Sequence, residues 1–307
     1  MSDDLGLWSV PLAILGGAIR VSTPFLFVSL GETITERSGR INLGLEGTLV
    51  FGAMSAYATA VLTNSPWAGV AVAGLAGGLF GLLHGYICKF PKVNDVAIGI
   101  ALMLFGTGLA FFFGKPFIQP PAPPLPAIPF GGWSDLPQVQ AALRVNVLFL
   151  AGAALSVALW WGFRNTKAGL ILRVVGDSAD AARALGYDVD RVRLVATGLG
   201  GVLAGIGGSY LSLYYPGSWN EGISSGQGLM AVALVIFARW NPLACFGAAL
   251  LFGGAGALGP ALQSVGVSQG YYLFYAAPYV LTLVLLIATS SPDRALAGAP
   301  GELSLSK

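Results

Sequence analysis

The 307-residue sequence contains little charge, and that scarcity excludes most classes of soluble protein. Only 10% of its residues are Asp, Glu, Lys or Arg, whereas 55% are hydrophobic and the mean hydropathy is +0.74. Soluble domains carry about 25% charged residues, since a folded chain needs polar surface to face water. A chain this poor in charge cannot cover itself with a water-facing surface, so the sequence indicates a membrane protein.

Cysteine and basic runs are also scarce. The two cysteines, Cys88 and Cys245, form neither a disulfide framework nor a metal cluster, and we expect them to pack as small apolar side chains. The formal net charge is +2 and no basic run stands out, which excludes a nucleic-acid polymer as partner. The opening "MSDDLGLW" is acidic rather than basic, so we expect no cleavable signal peptide and a first span that directs insertion itself.

The sequence contains instead a series of apolar stretches of about 20 residues, long enough to cross a hydrocarbon core of roughly 30 Å as helices. The predicted fold class is an all-α polytopic membrane protein of about nine transmembrane helices, with counts from eight to ten left open. The predicted spans are 10–31, 42–63, 66–88, 93–114, 145–163, 193–214, 222–238, 243–263 and 271–289. Small-xxx-small patterns such as "GVAVAGLAGGLFG" favour close approach of helix backbones in a membrane.

Basic residues predict the orientation of these spans. The loop 164–192 and its edge hold six Lys and Arg residues, Arg164, Lys167, Arg173, Arg183, Arg191 and Arg193. The positive-inside rule places such a loop in the cytoplasm, and alternation then puts the amino terminus outside and the carboxy terminus inside. The same side receives Arg37, Arg40, Lys89, Lys92, Arg239, Arg294 and Lys307, and the outer side only Lys115 and Arg144. The proline-rich outer loop 115–144 is interpreted as an extended connector or, alternatively, a docking surface.

The loop 164–192 also carries the signals of a short capped helix. Asp177 or Ser178 is a suitable N-cap, "ADAARAL" supplies strong helix formers, and Gly186 suits the left-handed residue that ends such a helix. A capped helix between two spans is typical of an element that docks against another protein. The alternative is a solvated loop held at the membrane surface by its positive charges.

Three segments, in order, resemble one family. They are "ERSGRINLGLEG", "LRVVGDSADAARALGYD" and "GLMAVALVIFARWNPLACFGAALLFGGAGAL". The sequence is similar to the permeases of ABC importers for simple sugars, branched-chain amino acids and nucleosides, and most of all to the shorter of the paired permeases of nucleoside uptake systems of the basic membrane protein type. The resemblance covers about residues 20–290 and implies that chain 1–307 is a single transmembrane permease domain of the bacterial inner membrane.

The resemblance also implies partners. In the family, a coupling helix in the long cytoplasmic loop fits a groove on the ATPase. The matching residues here are Asp177, Ser178, Ala179, Asp180, Ala181, Ala182, Arg183, Ala184, Leu185 and Gly186. The sequence contains no GxxxxGK[ST] phosphate loop, so the chain is not expected to be an enzyme or to bind a cofactor; separate ATPase subunits would use ATP and Mg. The other implied partners are an external substrate-binding protein and a second permease, as a heterodimer or alternatively a homodimer.

Polar residues near the spans are the candidates for the pathway, since unpaired polar groups are unfavourable in hydrocarbon. Asn42 and Glu46 are four residues apart and are predicted to share one helix face. We interpret them either as an inner gate or as a structural clasp, in which Glu46 pairs with Arg20 of the first span or with Arg37 or Lys92.

Four further residues begin spans. Asn94 opens the fourth span as its N-cap or as part of the pathway. Ser224, Ser225 and Gln227 precede or open the seventh span, where they would present hydrogen-bonding groups to a sugar or a base.

Several functions remain in competition. One is an ABC permease subunit for a nucleoside or related small polar solute, and the alternative within the same class is a simple-sugar permease. Another is an autonomous secondary transporter or channel, which a deep coupled carboxylate would favour. Glu46 is the only acid within the predicted spans away from their ends, which supports proton coupling only weakly. An intramembrane enzyme has no convergent nucleophile, base or metal set behind it, and no metal site is predicted.

Overall fold

The computed structural model describes residues 9–118, 120–266, 270, 273, 274, 276–289 and 298–305. Its helices are, in chain order, α1 (Ser9–Arg37), α2 (Leu45–Thr63), α3 (Pro66–Ile87), α4 (Asp95–Gly114), α5 (Pro137–Ala142), α6 (Val147–Asn165), α7 (Lys167–Asp177), α8 (Ala179–Ala184), α9 (Val189–Leu213), α10 (Gln227–Phe237), α11 (Pro242–Ser264), α12 (Ala277–Thr289) and α13 (Gly301–Leu305). Two three-residue strands, β1 (Ala127–Pro129) and β2 (Arg144–Asn146), pair antiparallel with Ile128 opposite Val145.

Seven of the described helices are long and apolar enough to cross a membrane, namely α1, α2, α3, α4, α6, α9 and α11. This confirms the predicted class of an α-helical polytopic membrane protein. The predicted span 222–238 differs, since its helix α10 begins only at Gln227 and has 11 residues. At 1.5 Å per residue it reaches about 16 Å, roughly half of a hydrocarbon core. In the predicted span 271–289 the helix α12 begins at Ala277, and Tyr271, Tyr272 and Tyr275 lie outside the described residues.

Helix α1 continues six residues beyond the predicted end of the first span, through Glu32 and Glu36 to Arg37. Charges at the end of an apolar run resemble the end of a span, but nothing in "GETITER" stops a helix. At Gly31 the helix lies against α9, where a Cβ atom would come within 2.6 Å of the Gly200 carbonyl oxygen. Two acidic side chains therefore lie inside the bundle.

Helices α1, α2, α3 and α9 form the centre, and the contact between α3 and α9 is the most extensive between any two described helices. Glycines on both helices produce it. A Cβ on Gly201 would lie 2.1 Å from the Gly77 carbonyl oxygen, and one on Gly205 would lie 2.0 Å from that of Ala73. Because real Cβ atoms do not approach so closely, the small-xxx-small pattern of α3 is the packing surface that the sequence predicts.

The bundle has two distinguishable ends. At one, here named the hairpin end, β1 and β2 lie near the termini of α1, α2 and α9: Leu125 N donates to Leu213 O at 2.9 Å, and a Cβ on Gly16 would meet Ala142. At the other, named the arginine end, α1 stops and α4 and α9 begin. There Arg40 pairs with Asp95 at 2.6 Å, and Arg193 pairs with Glu302 at 3.0 Å.

The short capped helix predicted in the loop 164–192 is present at the arginine end as α8. Ser178 is its N-cap and accepts a hydrogen bond from Ala181 N at 3.2 Å, and Gly186 follows it with φ +84°. The Ala179 N–H also donates to Glu302 Oε1 at 2.8 Å. Burial by itself raises the pKa of the Glu302 carboxyl, but this bond and the Arg193 guanidinium hold that pKa below its ordinary value. Helix α13 is thereby attached to the start of α8.

Candidate functional site

The carboxylate of Glu46 is the centre of the most connected polar cluster inside the bundle. Glu46 lies in the first turn of α2 and is 9% exposed. Its Oε1 accepts hydrogen bonds from Ser224 Oγ at 2.6 Å and from Gly226 N at 3.1 Å. Its Oε2 accepts from Gly228 N at 2.6 Å and from Leu229 N at 3.3 Å. One acidic side chain thus binds four donors of a segment about 180 residues away in the chain.

Three of these donors are backbone amides at the beginning of α10, and the fourth is the Ser224 hydroxyl. Gly226 is the residue before the helix, with φ +78° and no side chain to cap it. A helix start leaves its first amides without intrahelical partners and carries a partial positive charge, so a carboxylate there supplies the missing acceptor and the complementary charge. The approach requires glycine, since a Cβ on Gly228 would lie 2.6 Å from the Glu46 Cα.

The other end of α10 is held by the last turn of α1. The turn that joins α10 to α11 contains Arg239 and Trp240, both with positive φ. The Trp240 indole N–H donates to the Glu36 carboxylate, and the Arg37 guanidinium donates to the Trp240 carbonyl at 3.1 and 3.2 Å. Helix α10 therefore spans about half of the membrane thickness, with Glu46 bound at its start and Glu36 bound to the turn at its end.

Glu32 and Glu36 lie one turn apart on α1 and are almost completely buried. Glu32 Oε1 accepts a hydrogen bond from the Asn42 N–H at 2.8 Å, while its Oε2 has no hydrogen-bond partner among the described residues. Neither acid is among the site residues predicted from the sequence, because the predicted first span ends at residue 31. The four-residue spacing of Glu32 and Glu36 in an uninterrupted helical stretch was the available signal.

The prediction that Asn42 and Glu46 share a helix face is wrong. Asn42 lies three residues before α2, in the turn that follows α1. Its Oδ1 accepts from Gly44 N at 2.9 Å, so the side chain closes a local turn instead of extending the helix.

The predicted ion pair between Arg20 and Glu46 is also wrong. Arg20 Nε donates to Gly16 O at 3.1 Å, and its guanidinium lies 6.0 Å from the Tyr215 ring centre. Arg20 precedes Glu32, which binds the Asn42 amide, by 12 residues or about 18 Å of helix at 1.5 Å per residue. Because Glu46 follows Asn42 by four residues, this distance along α1 also separates Arg20 from Glu46.

The remaining predicted pathway residues fall into two groups. Asn94 caps α4, since its Oδ1 accepts from Ala97 N at 3.0 Å. Ser225 and Gln227 flank the start of α10 beside Glu46. Ser225 is exposed and its carbonyl accepts from Tyr279 Oη at 2.9 Å, and Gln227 Oε1 is buried with no hydrogen-bond partner in the described part of the chain. Ser224, Ser225 and Gln227 are thus gathered at one place with Glu46, while Asn42, Asn94 and Arg20 lie elsewhere.

Chemically, this arrangement holds and orients the start of α10. The carboxylate is saturated by hydrogen-bond donors, and the hydroxyl of Ser224 donates to it. What the cluster provides is a fixed helix start within the bundle. Beside it the Ser225 hydroxyl donates to the Gly222 carbonyl at 3.1 Å, and Gln227 Oε1 has no hydrogen-bond partner among the described residues.

Comparison with known proteins shows the family. The model of the family described as branched-chain amino acid transport system / permease component matches residues 14–290. The putative glucose ABC transporter permease TsgC13 of Haloferax volcanii is 34% identical, over 85% of this chain and 80% of its own length. Two guanosine ABC transporter permeases of Bacillus subtilis are also similar: NupQ is 28% identical over 89% of this chain and 90% of its own length, and NupP is 23% identical over 90% and 81%.

The family match covers the described membrane helices from α1 to α12, and it includes Glu46, α8 and α10. Together with the apolar helices, it identifies a multi-pass membrane subunit and not a soluble domain or an enzyme. The chain belongs to the family of permease components of branched-chain amino acid transport systems, as a permease subunit of an ABC importer.

Proposed function

We propose that this permease subunit moves a nucleoside or a related small polar solute past the start of α10. The observation that carries the proposal is the half-length helix whose first turn is fixed by Glu46, with Ser225 and Gln227 beside it. Broken helices of this kind place backbone and polar side chains at membrane depth only where they meet protein or a water-filled path. The named substrate of the similar permease NupQ, guanosine, supports the choice of a nucleoside.

The proposed location is the bacterial inner membrane, with nine spans, the amino terminus outside and the carboxy terminus inside. The arginine end supports this orientation. Six arginines that the positive-inside rule assigns to the cytoplasm gather at that end of the bundle, and they are Arg37, Arg40, Arg164, Arg173, Arg193 and Arg239. In this proposal the shorter helices α10 and α12 are the two membrane segments beyond the seven long ones, although α10 reaches only about half of a hydrocarbon core.

The proposed partners are ABC ATPase subunits, an external substrate-binding protein and a second permease. Bacillus subtilis has two guanosine permeases similar to this chain, which supports a heterodimer of two different permeases. In this assembly ATP and Mg bind to the ATPase subunits, and the permease pair encloses the path.

Helix α8 is the proposed contact with the ATPase. It stands at the arginine end, and Leu185, directly after it, is 66% exposed although it is a large apolar residue. Ala184 is exposed beside it. An exposed leucine on a short capped helix is the kind of side chain that a partner groove covers.

Replacing Ala184 with arginine should therefore uncouple the ATPase from this chain. Inserting a long charged side chain into a packed interface is expected to lower recovery of the ATPase with the permease at least about tenfold, the change produced by about 1.4 kcal/mol. Co-purification in detergent measures this. The matched control is Ala141→Arg, the same change at an exposed alanine of the six-residue helix α5 at the hairpin end. Equal recovery of the ATPase by both variants would show that α8 is not the contact.

The transport proposal is tested in liposomes that contain the two permeases and the ATPases. With the binding protein outside and ATP inside, we expect labelled guanosine to accumulate, and we expect no accumulation without ATP. Uptake that persists without the ATPases and follows a proton gradient would identify a secondary transporter instead.

A simple sugar is the second candidate substrate, favoured by the 34% identity to the putative glucose permease. The same liposomes distinguish the two, because labelled glucose and guanosine can be offered in competition. Displacement of one label by the other solute identifies the preferred substrate.

A further inference from the structure

A cavity of about 560 Å³ at the arginine end is lined by four arginines. Arg37 comes from the end of α1, Arg164 from α6, Arg173 from α7, and Arg239 from the turn between α10 and α11. No acidic residue is found among the described residues that line this cavity. The start of α11 also lies on it through Asn241 and Pro242, which adds the partial positive charge of a helix amino terminus.

Two of these guanidinium groups are occupied within the chain and two are not. Arg37 donates to the Trp240 carbonyl, and Arg164 lies 4.7 Å from the Trp160 ring centre. Arg173 Nε is buried and has no hydrogen-bond partner among the described residues, and in the same part of the chain no hydrogen bond or ion pair is seen for the Arg239 guanidinium, although the Arg239 backbone N–H donates to the Ile236 carbonyl at 3.1 Å. A buried donor without an acceptor is unfavourable, and four positive charges around one cavity repel one another, so the arrangement favours the binding of an anion.

The surroundings of the cavity are those of a membrane interface. Trp160 lines it together with Phe163, Phe237 and the buried Trp240, and tryptophan is, with tyrosine, enriched at the headgroup level. Helix α6, which forms one wall, is the least enclosed of the long helices together with α4, and Trp161 on it is 56% exposed. Phe163 also lines an apolar cleft of about 470 Å³ on α6, between that helix and α9. The acyl chains of an anionic lipid bound in the cavity would therefore lie against this apolar cleft.

We propose that the four-arginine cavity binds the phosphate headgroup of an anionic phospholipid. Guanidinium groups suit phosphate because they donate paired hydrogen bonds to its oxygens, and basic pockets between membrane helices at the cytoplasmic side bind such headgroups. Four arginines match a headgroup with two phosphates, such as that of cardiolipin, better than one with a single phosphate. The inference depends on the membrane location of the helices and not on the transported solute; only the identity of the leaflet follows from the proposed orientation.

The test uses the purified full chain in mild detergent and native mass spectrometry with added cardiolipin or phosphatidylcholine. Wild-type protein should retain cardiolipin in preference to phosphatidylcholine. The double variant Arg173→Gln/Arg239→Gln should bind cardiolipin about thirtyfold more weakly, the change expected from two arginines worth roughly 1 kcal/mol each. The variant Arg173→Lys/Arg239→Lys, which keeps both charges, should retain most of the binding and shows that a loss is not caused by misfolding.

The matched control is Lys115→Gln/Arg144→Gln, which removes two exposed positive charges at the hairpin end and should leave cardiolipin binding unchanged. Equal retention of cardiolipin and phosphatidylcholine by the wild-type protein would overturn the proposal. So would unchanged cardiolipin binding in the double glutamine variant. Inorganic pyrophosphate is added in a separate arm; if it displaces cardiolipin completely at equal concentration, the site is one for a free phosphate anion and not for a lipid.

Discussion

Replacing Glu46 with glutamine is expected to reduce ATP-driven uptake at least tenfold. The carboxylate accepts four hydrogen bonds at the start of α10, two on each oxygen. A glutamine has only one oxygen, and its NH₂ group would face N–H donors. Each buried donor left without an acceptor costs about 1–3 kcal/mol, and the lost negative charge no longer complements the helix amino terminus. The start of α10 should then no longer be held against the start of α2.

Two measurements on this variant separate the interpretations of Glu46. If the yield of folded protein and the uptake both fall, Glu46 is a structural clasp. If the yield is unchanged and uptake is lost at every imposed proton gradient, its bonds to α10 belong to a gate. The matched control is Glu221→Gln, since Glu221 is an exposed acid in the same segment and its loss should change neither quantity. Wild-type uptake by Glu46→Gln would contradict any role of the carboxylate in holding α10.

Features that depend on neighbours in sequence could be predicted, and the structure has them. Ser178 caps α8 and Gly186 ends that stretch because capping and left-handed turns need only a few consecutive residues. Asn94 likewise caps α4. The glycines of α3 indicated a close helix contact, although the sequence did not identify α9 as the partner.

The environment of Glu46 could not be predicted in the same way. Its four donors lie in residues 224–229, and no periodicity in a single sequence connects that segment with α2. The apolar run 227–237 together with the residues before it resembled a full span, whereas the helix is only half as long. Arg20 was assigned to Glu46 because both charges lie in apolar stretches, but pairing requires equal depth, and depth depends on where α1 ends.

The length of α1 determines several contacts that the sequence does not predict. Once α1 extends to Arg37, Glu32 reaches the Asn42 amide and Glu36 reaches the Trp240 indole. The turn from α1 to α2 and the turn from α10 to α11 are thereby fixed to the same helix. The start of α10 is thus held by α2, which follows α1, and its end is held by α1 itself. These contacts connect the proposed path with the arginine end, where α8 lies.

The second large effect is expected for Gly205→Val in α9. A Cβ on Gly205 would lie 2.0 Å from the Ala73 carbonyl oxygen and 3.2 Å from the Gly77 Cα, so the new side chain meets the backbone of α3 and cannot turn away from it. Overpacking costs about 1–3 kcal/mol where side chains can adjust, and occasionally more. Here α3 and α9 must separate along their most extensive contact, so the yield of folded, monodisperse protein in detergent should fall at least tenfold.

The matched control for this variant is Gly108→Val in α4. A Cβ on Gly108 has nothing within 4 Å, and the residue is exposed. The same valine there adds equal volume and the same helix propensity without entering a helix contact, so its yield should remain near that of the wild type. Size-exclusion chromatography of fluorescently tagged variants measures both yields side by side. Because the two changes differ only in what surrounds the new methyl groups, a similar loss in both would mean that valine in a membrane helix is harmful by itself. A normal yield of Gly205→Val would show that α3 and α9 do not depend on this close approach.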